Sequence, residues 1–176
     1  MNIVRHSLNA ALLGLGVPLA LQAQTLVART TPGFSMTIQG QKQGVFPGTK
    51  GVIGGLRFSY LVKSPRDPAS GLPTGKRMHT PVVFTKPLGT ASPQIFSAMV
   101  HNENLSVAIT VPGGDGGLGY RIKLTNANLA EVKQYTELVN GVVTILEDVS
   151  FTFQKIEVLD VGTGVLADDD WESPAL

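Results

Sequence analysis

Strict alternation of apolar and polar residues first appears at Phe34, where Phe34, Met36 and Ile38 interleave with Ser35, Thr37 and Gln39. Side chains two residues apart share one face of an extended chain, so this is the pattern of a half-buried strand. The same period returns at residues 55–62, with Leu56, Phe58 and Tyr60 on one side and Arg57 and Ser59 on the other, until Pro65 and Pro68 end it. A short strand is predicted at 82–85. Leu105, Val107, Ile109 and Val111 alternate with Ser106, Ala108 and Thr110, and beyond a glycine-rich stretch Tyr120, Ile122 and Leu124 alternate with Arg121, Lys123 and Thr125. These two runs are expected to pair as a hairpin. Further strands are predicted at 129–135, at 142–147 and, as the last of the chain, at 149–157, where Val149, Phe151 and Phe153 share a face.

A helical period occurs once. Ser92 can cap free backbone donors and Pro93 suits the first helical position, which predicts a helix over 93–101. Ile95, Phe96, Met99 and Val100 then fall on one face and are expected to pack against the sheet. The predicted fold class is therefore mainly β, with antiparallel strands and one α-helix.

Composition agrees with that reading. A chain of 176 residues, 43% of them hydrophobic, is enough for one domain with its own core, and 20 glycines and 11 prolines against only 15% charged residues favour many turns over long solvated helices. Cysteine is absent, which removes a disulfide framework, a thiol nucleophile and any cysteine-containing metal pattern. Arg5 and His6 precede an apolar stretch at 8–21 that ends near Ala23. This reads as a secretory signal peptide cleaved after Ala23, since it is shorter than the ~20 apolar residues needed to span a bilayer. The expected organisation is a leader at 1–23, a polar linker at 24–32, a β domain at 33–160 and an acidic tail at 161–176 that contains Asp168, Asp169, Asp170 and Glu172. The tail reads as a solvated end, with a contact to basic loop residues as the alternative.

Without the leader the chain carries 13 bases and 13 acids, a balance that points away from a nucleic-acid partner and leaves no segment for stable membrane insertion. The distribution is uneven. Residues 29–86 hold nine bases and one acid, and residues 87–176 hold four bases and twelve acids. Two readings follow: opposite charges on two faces that favour head-to-tail association, or mixing of the charges by interleaved strands.

The candidate chemistry is thin. Gly114-Asp115-Gly116-Gly117-Leu118-Gly119 fits a G-x-G-x-x-G string, but a dinucleotide site needs a helix directly after it, and here a strand is predicted. One aspartate is also far from the six to eight oxygens that calcium takes. His79 and His101 stand apart from other metal-ligating residues, no G-x-S-x-G elbow occurs, and Glu147 and Asp148 adjoin on a strand that points them to opposite faces. No catalytic residue, cofactor site or metal site is therefore expected. Residues 64–78, with three prolines, two glycines and the bases Arg66, Lys76 and Arg77, are too long for a hairpin turn and form a candidate contact loop.

The run from Ser70 to Pro81, SGLPTGKRMHTP, passes into VVFTKP, and it resembles the S-G-x-P-[ST]-G-x-R-x-H-x-P and F-[TK]-K signature of Hcp, the tube subunit of the bacterial type VI secretion system. The matching residues are Ser70, Gly71, Pro73, Thr74, Gly75, Arg77, His79, Pro81, Phe84 and Lys86. MTIQGQKQG resembles the first strand of the family, with Gly40 and Gly44 in place, YRIKLTNANLAEV its L-x-[ND]-A strand, and EDVSFTFQKIEV its closing strand. The resemblance spans about 33–158 and implies a β-barrel of two small antiparallel sheets with one flanking helix. It further implies hexameric rings that stack into a tube, with the spike protein, the sheath and small effectors as partners, and no enzymatic step. Arg66, Asp67, Lys76, Arg77 and His79 would then reach the next ring. The leader departs from the family pattern and implies, as the alternative, a ring or filament protein exported on its own, periplasmic or extracellular, with a binding or adhesive role.

Overall fold

The structure is a computed structural model that describes residues 33–113 and 119–172. The expected leader and linker, and most of the glycine-rich 114–119 string, lie outside the described residues. Twelve strands and one helix follow in the order β1 (Phe34–Gly40), β2 (Gly44–Val45), β3 (Ile53–Gly55), β4 (Arg57–Ser59), β5 (Val62–Lys63), β6 (Met78–His79), β7 (Val82–Pro87), α1 (Ser92–Val100), β8 (Leu105–Val111), β9 (Tyr120–Val139), β10 (Val142–Thr152), β11 (Lys155–Asp160) and β12 (Leu166–Asp170). No described helix is long and apolar enough to cross a membrane.

All pairings are antiparallel, and β9 belongs to two sheets. Its first part lies between β8 and β11, in a sheet that continues through β1 to β2 and β3 on one side and ends at β12 on the other. Its second part pairs with β10, which leads through β7 to β4. Between the two parts Asn126 adopts a left-handed conformation (φ 49°), which Asn tolerates better than most residues, and the strand turns from one sheet into the other. The sheets meet again where β3 runs into β4 across Leu56, whose N–H donates to the Thr85 carbonyl at 2.8 Å. The two sheets thus enclose one core with the chain itself, rather than a continuous ladder, completing the circuit. Gly55 at this second corner lies against the Phe84 ring, where a Cβ would come within 2.2 Å of it.

The core holds the inward residues of both sheets, among them Met36, Ile38, Phe84, Ile109, Leu124, Val149 and Phe151, each at most 1% exposed. The alternation along β1, β8 and the first part of β9 is as the sequence predicts. Other expectations need correction. The strand expected at 55–62 is broken into β4 and β5, because β4 follows the β7 edge while β5 leaves to pair with β6. Segments 129–135 and 120–125 are one strand, and 149–157 is divided between β10 and β11 at Phe153-Gln154. The tight β9–β10 connection is Asn140-Gly141, both with positive φ, which is the geometry of the two-residue hairpin turn that matches strand twist.

Helix α1 begins one residue earlier than expected, with Ala91 as its N-cap, so Ser92 is not the cap. Only Ile95 and Ala98, with Met99 partly, face the core, whereas Phe96 and Val100 are each 62% exposed. The expected apolar face is therefore rotated away from the sheet on one side. The helix ends in a Schellman arrangement, with Asn102 left-handed (φ 46°), its N–H donating to Met99 at 3.3 Å and the Glu103 N–H to Ala98 at 2.9 Å.

Ser92 instead joins a buried polar cluster. The Lys86 ammonium lies 2.7 Å from Glu147 Oε2 and donates to Ser92 Oγ at 2.8 Å and to the Pro87 carbonyl at 3.2 Å. Ser92 Oγ donates to Glu147 Oε2 at 3.0 Å, and Gln134 Nε2 to Glu147 Oε1 at 2.8 Å. Burial opposes ionisation of Glu147, but hydrogen bonds from Lys86 and Gln134 outweigh it and hold the carboxyl below its ordinary range. Replacing one partner strands the other as a buried charge. Lys86→Met should therefore cost about 3–5 kcal/mol in denaturant unfolding, and Lys86→Met/Glu147→Leu should cost clearly less. A double variant as unstable as the single one would contradict the pairing.

Candidate functional site

The loop at 64–77 rises from the ribbon of β5 and β6, in which Val62 pairs with His79 and Lys63 with Met78. It is ordered by its own backbone: the Asp67 N–H donates to Leu72 at 2.9 Å, the Thr74 N–H to Pro65 at 3.0 Å, and Arg66 Nη1 to the Gly71 carbonyl at 3.0 Å. The Asp67 carboxylate accepts from the backbone of Ser70 at 2.7 Å, from its hydroxyl at 2.8 Å and from the Ala69 N–H at 3.1 Å, and these bonds hold it below the usual carboxylate range. Lys76 is exposed.

The five residues expected to act together thus separate into two groups. Arg66, Asp67 and Lys76 sit on the outer loop. Arg77 and His79 turn back into their own subunit and meet Asp169 of β12. Arg77 grips the Asp169 carboxylate with Nε and Nη2, one nitrogen to each oxygen, and His79 Nε2 lies 2.7 Å from Oδ2. The Arg77 bonds hold Asp169 below the ordinary carboxyl range, against the effect of burial and with the help of His79. An ionised Asp169 can only accept, so His79 Nε2 carries hydrogen; in the neutral ring Nδ1 is then the acceptor for the Tyr60 hydroxyl. Burial, and next the Asp169 charge, push the Tyr60 phenol above its usual value.

Aromatic rings enclose the histidine. Tyr60 is stacked on it at a centroid distance of 6.0 Å, Phe153 meets it edge-on at 5.6 Å, and Trp171 lies tilted at 5.3 Å. The His79 side chain is 5% exposed. A cavity of about 280 Å³ opens beside it between Thr80, Pro81, Thr152, Phe153 and Trp171. The histidine partners are side chains within the subunit, where the resemblance implied reach to the next ring. Asp169 lies 90 residues from His79, and its opposite charge to the loop bases is the one sequence signal for the contact, without singling it out from its acidic neighbours.

The acidic tail is accordingly not a simple solvated end. Residues 166–170 form β12, and Lys155 pairs with Asp168 at 2.8 Å. Charge from the two halves of the chain meets inside the subunit in Arg57–Glu137, Arg77–Asp169 and Lys86–Glu147. Interleaved strands mix the charges, the second of the two readings above. Among the described residues no group of three or more metal-ligating side chains gathers.

Two antiparallel sheets sharing a bent strand, with a flanking helix and an ordered basic loop, define a β-rich scaffold of the kind seen in solved Hcp structures. A structure described as that of an Hcp protein superposes with a TM-score of 0.68 at 25% identity, covering 78% of this chain and 98% of that one. The secreted protein Hcp3 of Pseudomonas aeruginosa gives 0.62 at 28% identity, covering 79% and 99%. The major exported protein of P. aeruginosa is 35% identical, and the match covers 82% of this chain and 97% of that protein. The model of the family described as type VI secretion system effector, Hcp, matches residues 33–159. The chain belongs to the Hcp family of type VI secretion proteins, and with it to a class of structural tube proteins rather than enzymes.

The pH dependence of the Asp169 contact has a fixed sign. A carboxyl with a depressed folded-state pKa contributes stability that is complete above its unfolded value, about 3.9, and is lost as pH falls through the lower folded value. The stability advantage of the wild type over Asp169→Asn should persist from pH 7 down to about 4.5 and shrink below about pH 4. Thermal melts over that range measure it; a difference already lost at pH 6 would exclude ionised Asp169 as the source.

Proposed function

We propose that the protein is a tube subunit of a type VI secretion system, assembling as hexameric rings that stack and carry small effectors in the lumen. The family supports the role, and one surface supports the self-association. Beyond the end of β7 the β9–β10 hairpin projects as a two-stranded ribbon, with Leu138 opposite Val143 and Thr136 opposite Ile145 on one face. Leu138, Val143 and Ile145 are 68, 70 and 49% exposed, and the nearby Leu88 is 43% exposed. A contiguous apolar face of this sort marks an interface, and a second copy is the partner that a ring supplies. Within this reading Arg66, Asp67 and Lys76 are the loop residues available to the next ring, and the spike, the sheath and effectors are further partners.

A second reading keeps the ring and changes the route. The Arg5, His6 and 8–21 pattern favours export through a cleaved leader, which gives a periplasmic or extracellular Hcp-like ring or filament with binding or adhesive function. Native mass spectrometry of the endogenous protein separates the two. A hexamer of full-length chains supports the secretion tube, a hexamer of chains starting at Gln24 supports the independent ring, and a monomer refutes both.

Two substitutions test the surfaces. Val143→Asp should abolish the ring and leave a folded monomer by circular dichroism and light scattering. Lys76→Glu should leave the ring intact but shorten or abolish the stacks seen by negative-stain microscopy. Full-length stacks in Lys76→Glu, or rings in Val143→Asp, would refute the corresponding contact.

A further inference from the structure

β12 is joined to β11 by one antiparallel ladder and the Lys155–Asp168 pair, and it is tied down further at each end. At one end the turn that joins it to β11 is built on Asp160, whose carboxylate accepts from the Gly162 N–H at 2.9 Å and the Thr163 N–H at 3.3 Å. The Gly164 N–H returns to the Asp160 carbonyl at 2.9 Å, with Gly164 at φ 74°, and the Asp160 N–H donates to Val165 at 2.9 Å. At the other end Asp169 holds Arg77 and His79, and the Trp171 N–H donates to the Gln154 carbonyl at 3.1 Å.

No residue from 161 to 172 is buried, and Val165, Leu166 and Trp171 are 65, 56 and 53% exposed. β12 pairs with β11 alone. A cavity of about 210 Å³ lies between it and the loop stem, lined by Tyr60, Val62, His79, Ile156, Val158 and Ala167 among others. Few buried apolar contacts and an exposed ladder are the attributes of a segment that opens at a free energy well below global unfolding. With little burial, the strand is held by its ladder with β11 and the Lys155–Asp168 pair, and the contact of Asp169 with Arg77 and His79 is what ties it to the loop stem.

We infer that residues 166–171 form a strap, hinged at the Asp160 turn and latched by Asp169 across the stem of loop 64–77, which opens as a unit while the two-sheet core stays folded. Opening frees the Arg77 guanidinium for an external carboxylate and uncovers the His79–Tyr60–Phe153 cluster. The strap therefore decides whether Arg77 belongs to its own subunit or is offered outward. This device is a property of the subunit and holds whatever the ring does.

The test is hydrogen exchange by mass spectrometry on the full chain, with phenylglyoxal labelling to read the availability of Arg77. In the wild type, amides of the 165–171 peptide should exchange at least tenfold faster than hydrogen-bonded amides of β8 and the 146–151 part of β10. Asp169→Asn should speed the strap about a further tenfold and raise labelling of Arg77 but not of Arg66, with the core amides unchanged. The inference is overturned if the wild-type strap exchanges at the core rate, if Asp169→Asn changes neither strap exchange nor Arg77 labelling, or if the core amides accelerate together with the strap.

Discussion

Everything around the α1 side of the domain is organised by one buried ion pair. Lys86 on β7 and Glu147 on β10 face each other across one rung of the β7–β10 ladder, and each is at most 1% exposed. Two charges in such surroundings persist only if every donor and acceptor finds a partner, which is the reason Ser92 at the helix start and Gln134 on β9 are drawn to them. The pair contributes little net energy compared with an apolar substitute, but it permits one arrangement of β7, β9, β10 and α1 and penalises others. That constraint fixes the helix start at Ser92, the rotation that leaves Phe96 outside, and the register that carries β9 and β10 past the end of β7 as a projecting ribbon.

Two further polar side chains hold loops in the same manner. Glu103, 5% exposed just after the helix, accepts from the Lys42 N–H at 2.6 Å and the Gln43 N–H at 2.8 Å, and so fastens the β1–β2 turn to the end of α1. Burial resists its ionisation, and the Gln43 bonds overcome that resistance. Asp169 does the corresponding work for the contact loop. In each case a carboxylate from a distant part of the chain meets donors that have no partner within their own turn, so the loops of this domain are stapled by charge where the core cannot reach them.

The strands with one buried face were legible from the sequence because alternation is a local property: Met36 and Ile38, or Val107 and Ile109, point inward wherever the strand is placed. The motif around 70–86 likewise carried the family, which composition alone would not. What could not be read was set by distance. The continuity of β9 through Asn126 depends on which sheet each half joins, and the break between β4 and β5 on a partner edge that β7 supplies. Phe96 and Val100 fit an apolar stripe, yet which side of a short helix faces the core is decided by Ser92 and the buried pair. Asp169, in an acidic run open to both a solvated and a loop-bound reading, gains its place only when β12 crosses the loop stem. Asn140-Gly141, by contrast, was a turn signal available in the sequence.

Because β9 is a member of both sheets, neither sheet is a folding unit. Its first part needs β8 and β11, its second needs β10, and β1 adds to β8 from a point some seventy residues earlier in the chain. Most loop closures must therefore be made before the ladder is rewarded, and synthesis has to pass β10 before the second sheet is complete and β12 before the first is. Until then the subunit presents open edges and the apolar face of the β9–β10 ribbon together, at the stage when sibling chains are nearby. A chain built this way folds slowly and is vulnerable to premature association while it does so.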